Sequence, residues 1–302
     1  MSKRCLINVD GGLGKNVMLT ALMPIIKTKY DEIYVISPYF DVFKACSYVT
    51  DAFPPMQGTL YQELGLAEDC DILCAEPYNN RKFIKKQVHL FQAWLEEMQI
   101  KIPENFNPME LKPVLDKIPE EFPQIKQLVD TRIDEIKKFI IVQFCGGQSP
   151  LSPQLDNNGN PIGYNDHQEG IKRNYFKGQE LINLLRKEYP DTAIIHYALP
   201  NEPSYEGTVK LELPYLGYHL MAEKAEKVVC TDSSLQHLST GACNNVTVIW
   251  GETRPEHFGW NSNKNICAKN VLNSQPYFKP FGCSPSIVNF PKPEEVMKVI
   301  NE

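Results

Sequence analysis

A glycine-rich turn near the N-terminus has residues of the type and spacing that bind phosphates. The stretch "NVDGGLGKNVML" places Gly12 and Gly14 between an apolar strand and an amphipathic helix, with Asp10 before the turn and Lys15 after it. Such a turn presents backbone N–H groups at a helix N-terminus, where anions bind. The sequence therefore predicts a phosphate-bearing ligand here. The alternative is a tight strand-to-helix turn that binds nothing.

Two well-known nucleotide motifs are excluded at this turn. The phosphate-binding loop of ATPases needs a glycine five positions before Gly14, where Val9 stands, and Ser or Thr after Lys15, where Asn16 stands. The dinucleotide fingerprint needs a third glycine, where the chain has Val17. The sequence therefore supports neither an ATPase nor an NAD-dependent enzyme.

A second polar turn follows a predicted strand in the C-terminal half, "KVVCTDSSLQHLSTGA". The strand ends at Thr231, and Asp232, Ser233 and Ser234 lead into a helix that carries His237. The next strand ends in another polar loop, "WGETRP". Ligands of open α/β sheets bind where such loops meet at the carboxyl ends of strands. The alternatives are that Asp232 only caps its helix and that His237 packs in the core.

The elements that carry these turns alternate between apolar strands and amphipathic helices, which predicts an α/β fold with parallel sheets. Two βα halves, each opening with a strand and a Gly-Gly turn, join near residue 138. We therefore expect an N-terminal domain at 1–137 and a C-terminal domain at 138–285. A helix within 286–302 is expected to pack back on the N-terminal domain.

Composition excludes several classes of protein. A chain of 302 residues with 42% hydrophobic content can bury two ordinary cores. A net charge of −6 gives no general attraction to nucleic acid or anionic lipid. No apolar run is long enough to span a membrane, and the first residues lack the apolar stretch of a secretory signal. Nine scattered cysteines are interpreted as reduced thiols, so we expect a cytoplasmic protein.

Several motifs resemble those of glycosyltransferase family nine, which contains the ADP-heptose:lipopolysaccharide heptosyltransferases. "DSSLQHLSTGA" followed by a strand and "WGETRP" is similar to the family's D-[ST]-G-x-x-H-x-A-x-A and [FW]-G-x-T-x-P elements. The opening "GGLGKNVMLTALMPIIKTKYDEIYVIS", the segment "FCGGQS…GIKRNYFKGQELINLL" and the helix after "NFPKPEEV" resemble further parts of the family in the same order. The resemblance implies the GT-B architecture, with two Rossmann-like domains facing across a cleft. It puts the acceptor on the N-terminal domain and the donor nucleotide on the C-terminal one.

The resemblance also implies roles for individual residues. The turn from Asp232 to Ser234 and the helix behind it would hold the donor diphosphate through backbone N–H groups, with His237 directed at the same place. Lys172 stands where the family has its phosphate-binding lysine, and Arg173 is beside it; either cation would neutralise the departing diphosphate. Glu202, in "ALPNEPS", falls near the acidic residue that contacts the donor ribose. The alternative is that both cations are solvated.

The implied activity is inverting, metal-independent transfer of a sugar from a nucleotide-diphosphate donor to a hydroxyl acceptor, such as a saccharide or lipopolysaccharide core. A general base takes the proton of the acceptor hydroxyl as the diphosphate leaves. The family has an aspartate at the end of the first glycine loop, where this chain has Lys15 and Asn16. Asp10 is the nearest carboxylate and is the predicted base, and Lys15 is predicted to reach the donor phosphates. No metal or cofactor is expected.

Other interpretations stay open at this point. A basic and aromatic stretch, "NNRKFIKKQVHLFQAW", indicates either a solvated helix face or a patch for a polyanionic acceptor. A DNA acceptor with a flipped hydroxymethylated base would use the same chemistry. Because the family aspartate is missing, a catalytically inactive nucleotide-sugar-binding relative is a further alternative. "GGLG" also resembles fucosyltransferases of the GDP-fucose type, and "DCD" at 69–71 matches a weak manganese-binding pattern.

Overall fold

The chain forms two parallel β-sheets with helices packed around them. The computed structural model describes residues 2–55, 70–74, 76–146, 153–155, 161–164, 173–198, 202, 204–251, 253–269 and 289–302. Within these ranges, no helix is long and apolar enough to cross a membrane. The sheets come from the segments before and after residue 138, as the alternating pattern of strands and helices predicts.

The first sheet has four parallel strands in the order β3-β2-β1-β4. Its strands are β1 (Arg4–Asn8), β2 (Glu32–Ile36), β3 (Asp51–Phe53) and β4 (Cys70–Cys74). Among the described residues, the helices that connect or flank them are α1 (Leu13–Thr20), α2 (Met23–Lys27) and α3 (Phe40–Lys44). Buried side chains of β1 and α1, such as Ile7 and Val17, belong to the main core. The glycine-rich turn therefore leaves the carboxyl end of a central strand.

A helical segment joins the two sheets. It contains α4 (Arg81–Ile84), α5 (Leu90–Glu97), α6 (Ile118–Glu121) and α7 (Pro123–Ile136), with 3-10 turns at Pro77–Asn79 and Pro108–Glu110. Proline at or near the start of α6 and α7 suits the first helical turn, where a backbone N–H has no intrahelical partner. Helix α7 ends at Ile136, and the next residue, Lys137, has φ 64° and lies just before the first strand of the second sheet.

The second sheet has six parallel strands in the order β12-β11-β10-β5-β8-β9. They are β5 (Phe139–Gln143), β8 (Ala193–His196), β9 (Val209–Lys210), β10 (Lys227–Thr231), β11 (Val246–Trp250) and β12 (Lys264–Cys267). All five residues of β5 and of β11 are buried, as expected for interior strands covered on both faces. A separate antiparallel pair consists of β6 (Pro153–Leu155) and β7 (Pro161–Tyr164).

Five helices accompany the second sheet: α8 (Gly178–Glu188), α9 (Tyr215–Ala222), α10 (Ser234–Ser239), α11 (Pro255–Phe258) and α12 (Pro293–Asn301). The prediction that the C-terminal helix packs on the N-terminal domain is wrong. Val296 and Ile300 of α12 are buried in a cluster with residues of α8 and the second sheet. Lys227 and Lys264 also bind the carbonyl oxygen of Ile300. These apolar and polar contacts keep α12 on the C-terminal sheet.

The two halves meet through loops that follow the carboxyl ends of their strands. His89 Nε2 donates to the Gly259 carbonyl oxygen at 3.2 Å, because its Nδ1 accepts the N–H of Phe91 at the start of α5. In the opposite direction, His257 Nδ1 lies 3.3 Å from the Val88 carbonyl oxygen. Each half therefore supplies a histidine to the backbone of the other.

The buried His89 ring makes stability depend on pH. Burial lowers the pKa of His89 from its usual 6.5 to about 3. Below about pH 6.5 the unfolded chain therefore binds a proton that the folded chain does not, and stability is lost as the pH falls toward 3. His89→Asn keeps a side-chain oxygen to cap α5 but cannot titrate.

Urea unfolding at pH 7.5 and pH 4.5 checks this expectation. The loss of unfolding free energy over this range is predicted to be about 2–3 kcal/mol smaller in His89→Asn than in the wild type. Equal losses in the two proteins would contradict it.

Candidate functional site

The first glycine loop lies against the start of α10 from the other half. A Cβ built on Gly14 would be 2.9 Å from His237 Cδ2 and 3.6 Å from Ser234 Cα. Any side chain at position 14 would therefore force the two loops apart. Gly12 has no atom within 4 Å of a built Cβ and is exposed, so its backbone is open to solvent. The structure thus brings the two polar turns that the sequence singled out into direct contact.

Lys15 lies under this loop between two carboxylates. Its ammonium is 3.0 Å from Asp10 Oδ1 and 2.6 Å from Glu76 Oε2, and it lies over the ring of Tyr78. The Lys15 side chain is 6% exposed, whereas that of Asp10 is 82% exposed. The hydrogen bond from Lys15 and its charge hold the pKa of Asp10 below its usual value. Asp10 is therefore an ionised carboxylate that a hydroxyl group can reach.

Sequence reasoning missed Glu76. Its other oxygen, Oε1, accepts the N–H of Tyr78 and so caps the 3-10 turn after β4. Since β4 is parallel to β1 and beside it, the segments after both strands come to the same edge of the sheet. The sequence shows that Glu76 closely follows an apolar strand. It does not show that this strand pairs with β1, which is what brings Glu76 to Lys15.

Asn16, which follows Lys15, is a structural residue. It is fully buried, its amide nitrogen donates to the Gly12 carbonyl oxygen at 3.0 Å, and its Oδ1 accepts the hydroxyl of Ser37 at 2.6 Å. These bonds hold the glycine loop against β2. The amide of Asn16 therefore fixes the loop.

Asp232 does not cap α10. Its Oδ1 accepts a hydrogen bond from the side-chain amide Nε2 of Gln236 at 2.7 Å, and its Oδ2 is 3.7 Å from the Arg173 guanidinium. The N–H of Leu235 in the first turn is instead satisfied by Gln143 Oε1 from β5, at 3.3 Å. The alternative in which Asp232 serves only as a helix cap is therefore wrong. The contact also brings Arg173 to this turn.

Gly146 allows the turn to sit close to the end of β5. A Cβ built on Gly146 would be 2.3 Å from the Asp232 carbonyl oxygen and 3.1 Å from Arg173 Cβ. Its N–H donates to Asn174 Oδ1 at 3.0 Å. Glycine is required here because no side chain fits between these two segments.

His237 is buried at the contact between the halves. Its Nδ1 accepts the indole N–H of Trp260 at 3.1 Å, and the two rings meet edge to face. Burial lowers the pKa of His237 to about 4, so the ring is neutral at physiological pH. The interpretation of His237 as a packed residue and its interpretation as a site residue are therefore compatible.

Glu202 lies deep at the carboxyl end of β8. Its side chain and that of His196 are both fully buried, with Glu202 Oε2 3.4 Å from His196 Nε2. Neither Glu202 oxygen has a hydrogen-bond partner among the described residues, and the same holds for Thr231 Oγ1, Ser233 Oγ and Gln236 Oε1. Unpartnered buried polar atoms therefore gather at the carboxyl ends of β8 and β10.

Lys172 lies outside the described residues, as does Asp69 of the "DCD" pattern. Asp71 of the same pattern accepts the hydroxyl of Tyr30 at 2.8 Å. No cluster of three or more His, Cys, Asp or Glu side chains suited to a metal ion occurs in the described part of the chain.

Comparison with solved structures shows the same fold over nearly the whole chain. The glycosyl transferase family 9 protein from Veillonella parvula aligns with 99% of this chain and 96% of its own, at a TM-score of 0.66 and 10% identity. The E. coli ADP-heptose lps heptosyltransferase II aligns with 99% of this chain and 97% of its own, at a TM-score of 0.58 and 11% identity. E. coli heptosyltransferase WaaC, solved with ADP, aligns with 90% of this chain and 93% of its own, at a TM-score of 0.51 and 11% identity.

These similarities confirm that the resemblance to glycosyltransferase family nine extends to the fold, a mixed α/β structure with parallel sheets. No family model matches the sequence, and no curated protein matches it either. The likeness is therefore one of structure, at identities of 10–11% among the proteins named above.

The close contact at Gly14 yields a test with a matched control. Gly14→Ala places a methyl group 2.9 Å from the buried His237 ring and is expected to lower the unfolding free energy by about 1–2 kcal/mol, although alanine favours the helix. Gly12→Ala meets no neighbour and is expected to stay within about 0.5 kcal/mol of the wild type. Urea unfolding measures both variants. Equal stabilities would show that the loops do not need this close approach.

Proposed function

We propose that this protein is a glycosyltransferase that binds a nucleoside-diphosphate sugar at the carboxyl edge of the second sheet and transfers the sugar to a hydroxyl acceptor. One observation carries the proposal. Glu202 Oε1, Thr231 Oγ1, Ser233 Oγ and Gln236 Oε1 are buried without a hydrogen-bond partner among the described residues, and they lie at one sheet edge with the His196–Glu202 pair. Buried polar groups in native proteins are normally paired, so this edge is built to receive a polar ligand.

The ligand class follows from the groups present and from the structural neighbours. WaaC was solved with ADP, and TibC was solved in complex with ADP-D-beta-D-heptose. In this chain the Glu202 carboxylate offers two acceptor oxygens that suit sugar or ribose hydroxyl groups. The Ser233 hydroxyl and the Arg173 guanidinium offer donors that suit a diphosphate. A polyhydroxylated, anionic nucleotide sugar satisfies both sets.

On the donor side, Arg173 is proposed to neutralise the departing diphosphate together with Lys172. Asp232 holds Arg173 at the turn, so the cation is positioned before the ligand arrives. His237 and the backbone of the turn from Asp232 to Ser234 would contact the same group. These fixed charges and dipoles are proposed to stabilise the departing diphosphate without a metal ion.

On the acceptor side, Asp10 is the proposed general base. It would take the proton of the acceptor hydroxyl while that oxygen bonds to the anomeric carbon and the bond to the diphosphate oxygen breaks, which inverts the centre. Lys15 lowers the pKa of Asp10 and so favours its ionised form. Glu76 shares the same ammonium and balances its charge. A saccharide hydroxyl is the proposed acceptor.

Release of nucleoside diphosphate from ADP-, UDP-, GDP- and CDP-sugars, with saccharide acceptors and without added metal, tests this mechanism. Asp10→Asn is expected to lower turnover by about 10²–10³-fold with donor affinity kept, because general-base catalysis is lost. Glu76→Gln is the matched control, since an amide can still accept the bond from Lys15, and it is expected to keep turnover within about 10-fold.

The other outcomes have distinct meanings. A loss confined to Glu76→Gln would move the base to Glu76 and contradict the role of Asp10. Tight donor binding with no turnover in the wild type, whatever the sugar and acceptor, would favour a nucleotide-sugar-binding protein without catalytic activity.

A further inference from the structure

We propose that Trp260 is a positioning residue that fixes the tautomer of His237, so that a neutral imidazole presents its Nε2–H to the ligand between the two halves. The inference rests on the proposed function for the identity of that ligand, but the tautomer itself does not depend on it. Trp260 lies outside both motifs of the C-terminal half, so the motifs alone do not give it this role.

The hydrogen bond between the two rings determines where the proton sits. Trp260 Nε1 is 3.1 Å from His237 Nδ1. An indole N–H can only donate, so Nδ1 must offer its lone pair. A neutral imidazole has one protonated nitrogen, and that nitrogen is therefore Nε2. The doubly protonated ring is disfavoured here because its Nδ1–H would face the indole N–H.

The surroundings of Nε2 contain no protein acceptor among the described residues. The Gln236 side-chain Nε2 lies 3.5 Å from it. That amide nitrogen is itself a donor, because it donates to Asp232 Oδ1 at 2.7 Å. Rotating the amide by half a turn would place two oxygens against each other at that short distance, so the amide orientation is fixed. The Nε2–H of His237 thus faces another donor and needs an acceptor from elsewhere.

The backbone of the first glycine loop lies beside this nitrogen. A Cβ built on Gly14 would be 3.5 Å from His237 Nε2. The same edge carries the Ser233 hydroxyl and the Gln236 side-chain Oε1, which have no hydrogen-bond partner among the described residues. A diphosphate oxygen of the donor is the acceptor that the proposed function supplies there. A neutral N–H donor can hold this oxygen without an ion pair that would resist its departure.

The indole is itself held from both halves of the molecule. Trp260 is fully buried, and its ring packs on Phe91 of α5 at a centroid distance of 5.2 Å. Its carbonyl oxygen accepts the side-chain amide of Asn265 at 3.2 Å. The carbonyl oxygen of the neighbouring Gly259 accepts the hydrogen bond from His89 Nε2. The tautomer of His237 is therefore set by packing between the two halves.

Nitrogen-15 NMR of histidine-labelled protein at pH 7.5 tests the tautomer without any ligand. The His237 signals are assigned by their loss in His237→Gln. The expected result is an unprotonated Nδ1 and a protonated Nε2 in the wild type, and a mixture of the two tautomers in Trp260→Phe, which keeps a packed ring but lacks the indole N–H. A protonated Nδ1 in the wild type would overturn the inference and leave the proposed function untouched.

Calorimetric titration with ADP tests the role in binding. Trp260→Phe is expected to weaken ADP binding by about 10-fold, the effect of one misdirected hydrogen bond to a charged group. Phe91→Leu is the packing control, because it perturbs the same aromatic cluster and leaves the indole N–H in place, and it is expected to keep the wild-type tautomer and most of the affinity.

The remaining outcomes separate the two claims. A tautomer mixture in Trp260→Phe with unchanged ADP affinity would overturn the positioning role. Equal losses of ADP affinity in Trp260→Phe and Phe91→Leu would assign the effect to packing and would also overturn the positioning role of Trp260. Absence of binding to ADP, UDP, GDP and CDP by a wild type with the expected tautomer would count against the proposed function, and with it against a diphosphate partner for this N–H.

Discussion

The close approach of the first glycine loop to the buried His237 ring is the constraint on which the rest of the site depends. A side chain at Gly14 would meet that ring at 2.9 Å, so the two halves can meet here only through bare backbone. The contact brings the carboxyl ends of two parallel sheets together. It thereby brings the loop that carries Asp10 and Lys15 to the polar carboxyl edge of the second sheet, although these segments lie far apart in the sequence.

Charge is arranged differently on the two sides of this contact. In the first half, the buried ammonium of Lys15 is balanced by Asp10 and Glu76. In the second half, Asp232 lies 3.7 Å from the Arg173 guanidinium, and Glu202 is buried 3.4 Å from His196 with its Oε1 lacking a hydrogen-bond partner among the described residues. Burying such groups costs free energy unless a ligand completes their hydrogen bonds. The carboxyl edge of the second sheet is therefore the part of the molecule that the proposed ligand would stabilise most.

Local pattern predicted the parts of this account that depend on neighbouring residues. Buried apolar runs marked the central strands, and the polar turn after β10 marked the carboxyl edge where Asp232 and Ser233 lie. Short strands such as β3, β9 and β12 carry little pattern and were not predicted. Contacts between distant segments could not be predicted from local pattern. The contact of Glu76 with Lys15 depends on strand order, and that of Trp260 with His237 depends on packing between the halves. The C-terminal helix was misplaced because an amphipathic pattern predicts a buried face and not its partner.

A thermal-shift measurement with ADP-, UDP-, GDP- and CDP-sugars, made without added metal, tests the central claim most directly. A ligand that binds only the folded chain stabilises it by about 2.7 kcal/mol at a hundred times its Kd. The account predicts a selective rise in Tm with one nucleotide and little change with the others. No rise with any of them at millimolar concentration would contradict a nucleotide-sugar site at the carboxyl edge of the second sheet.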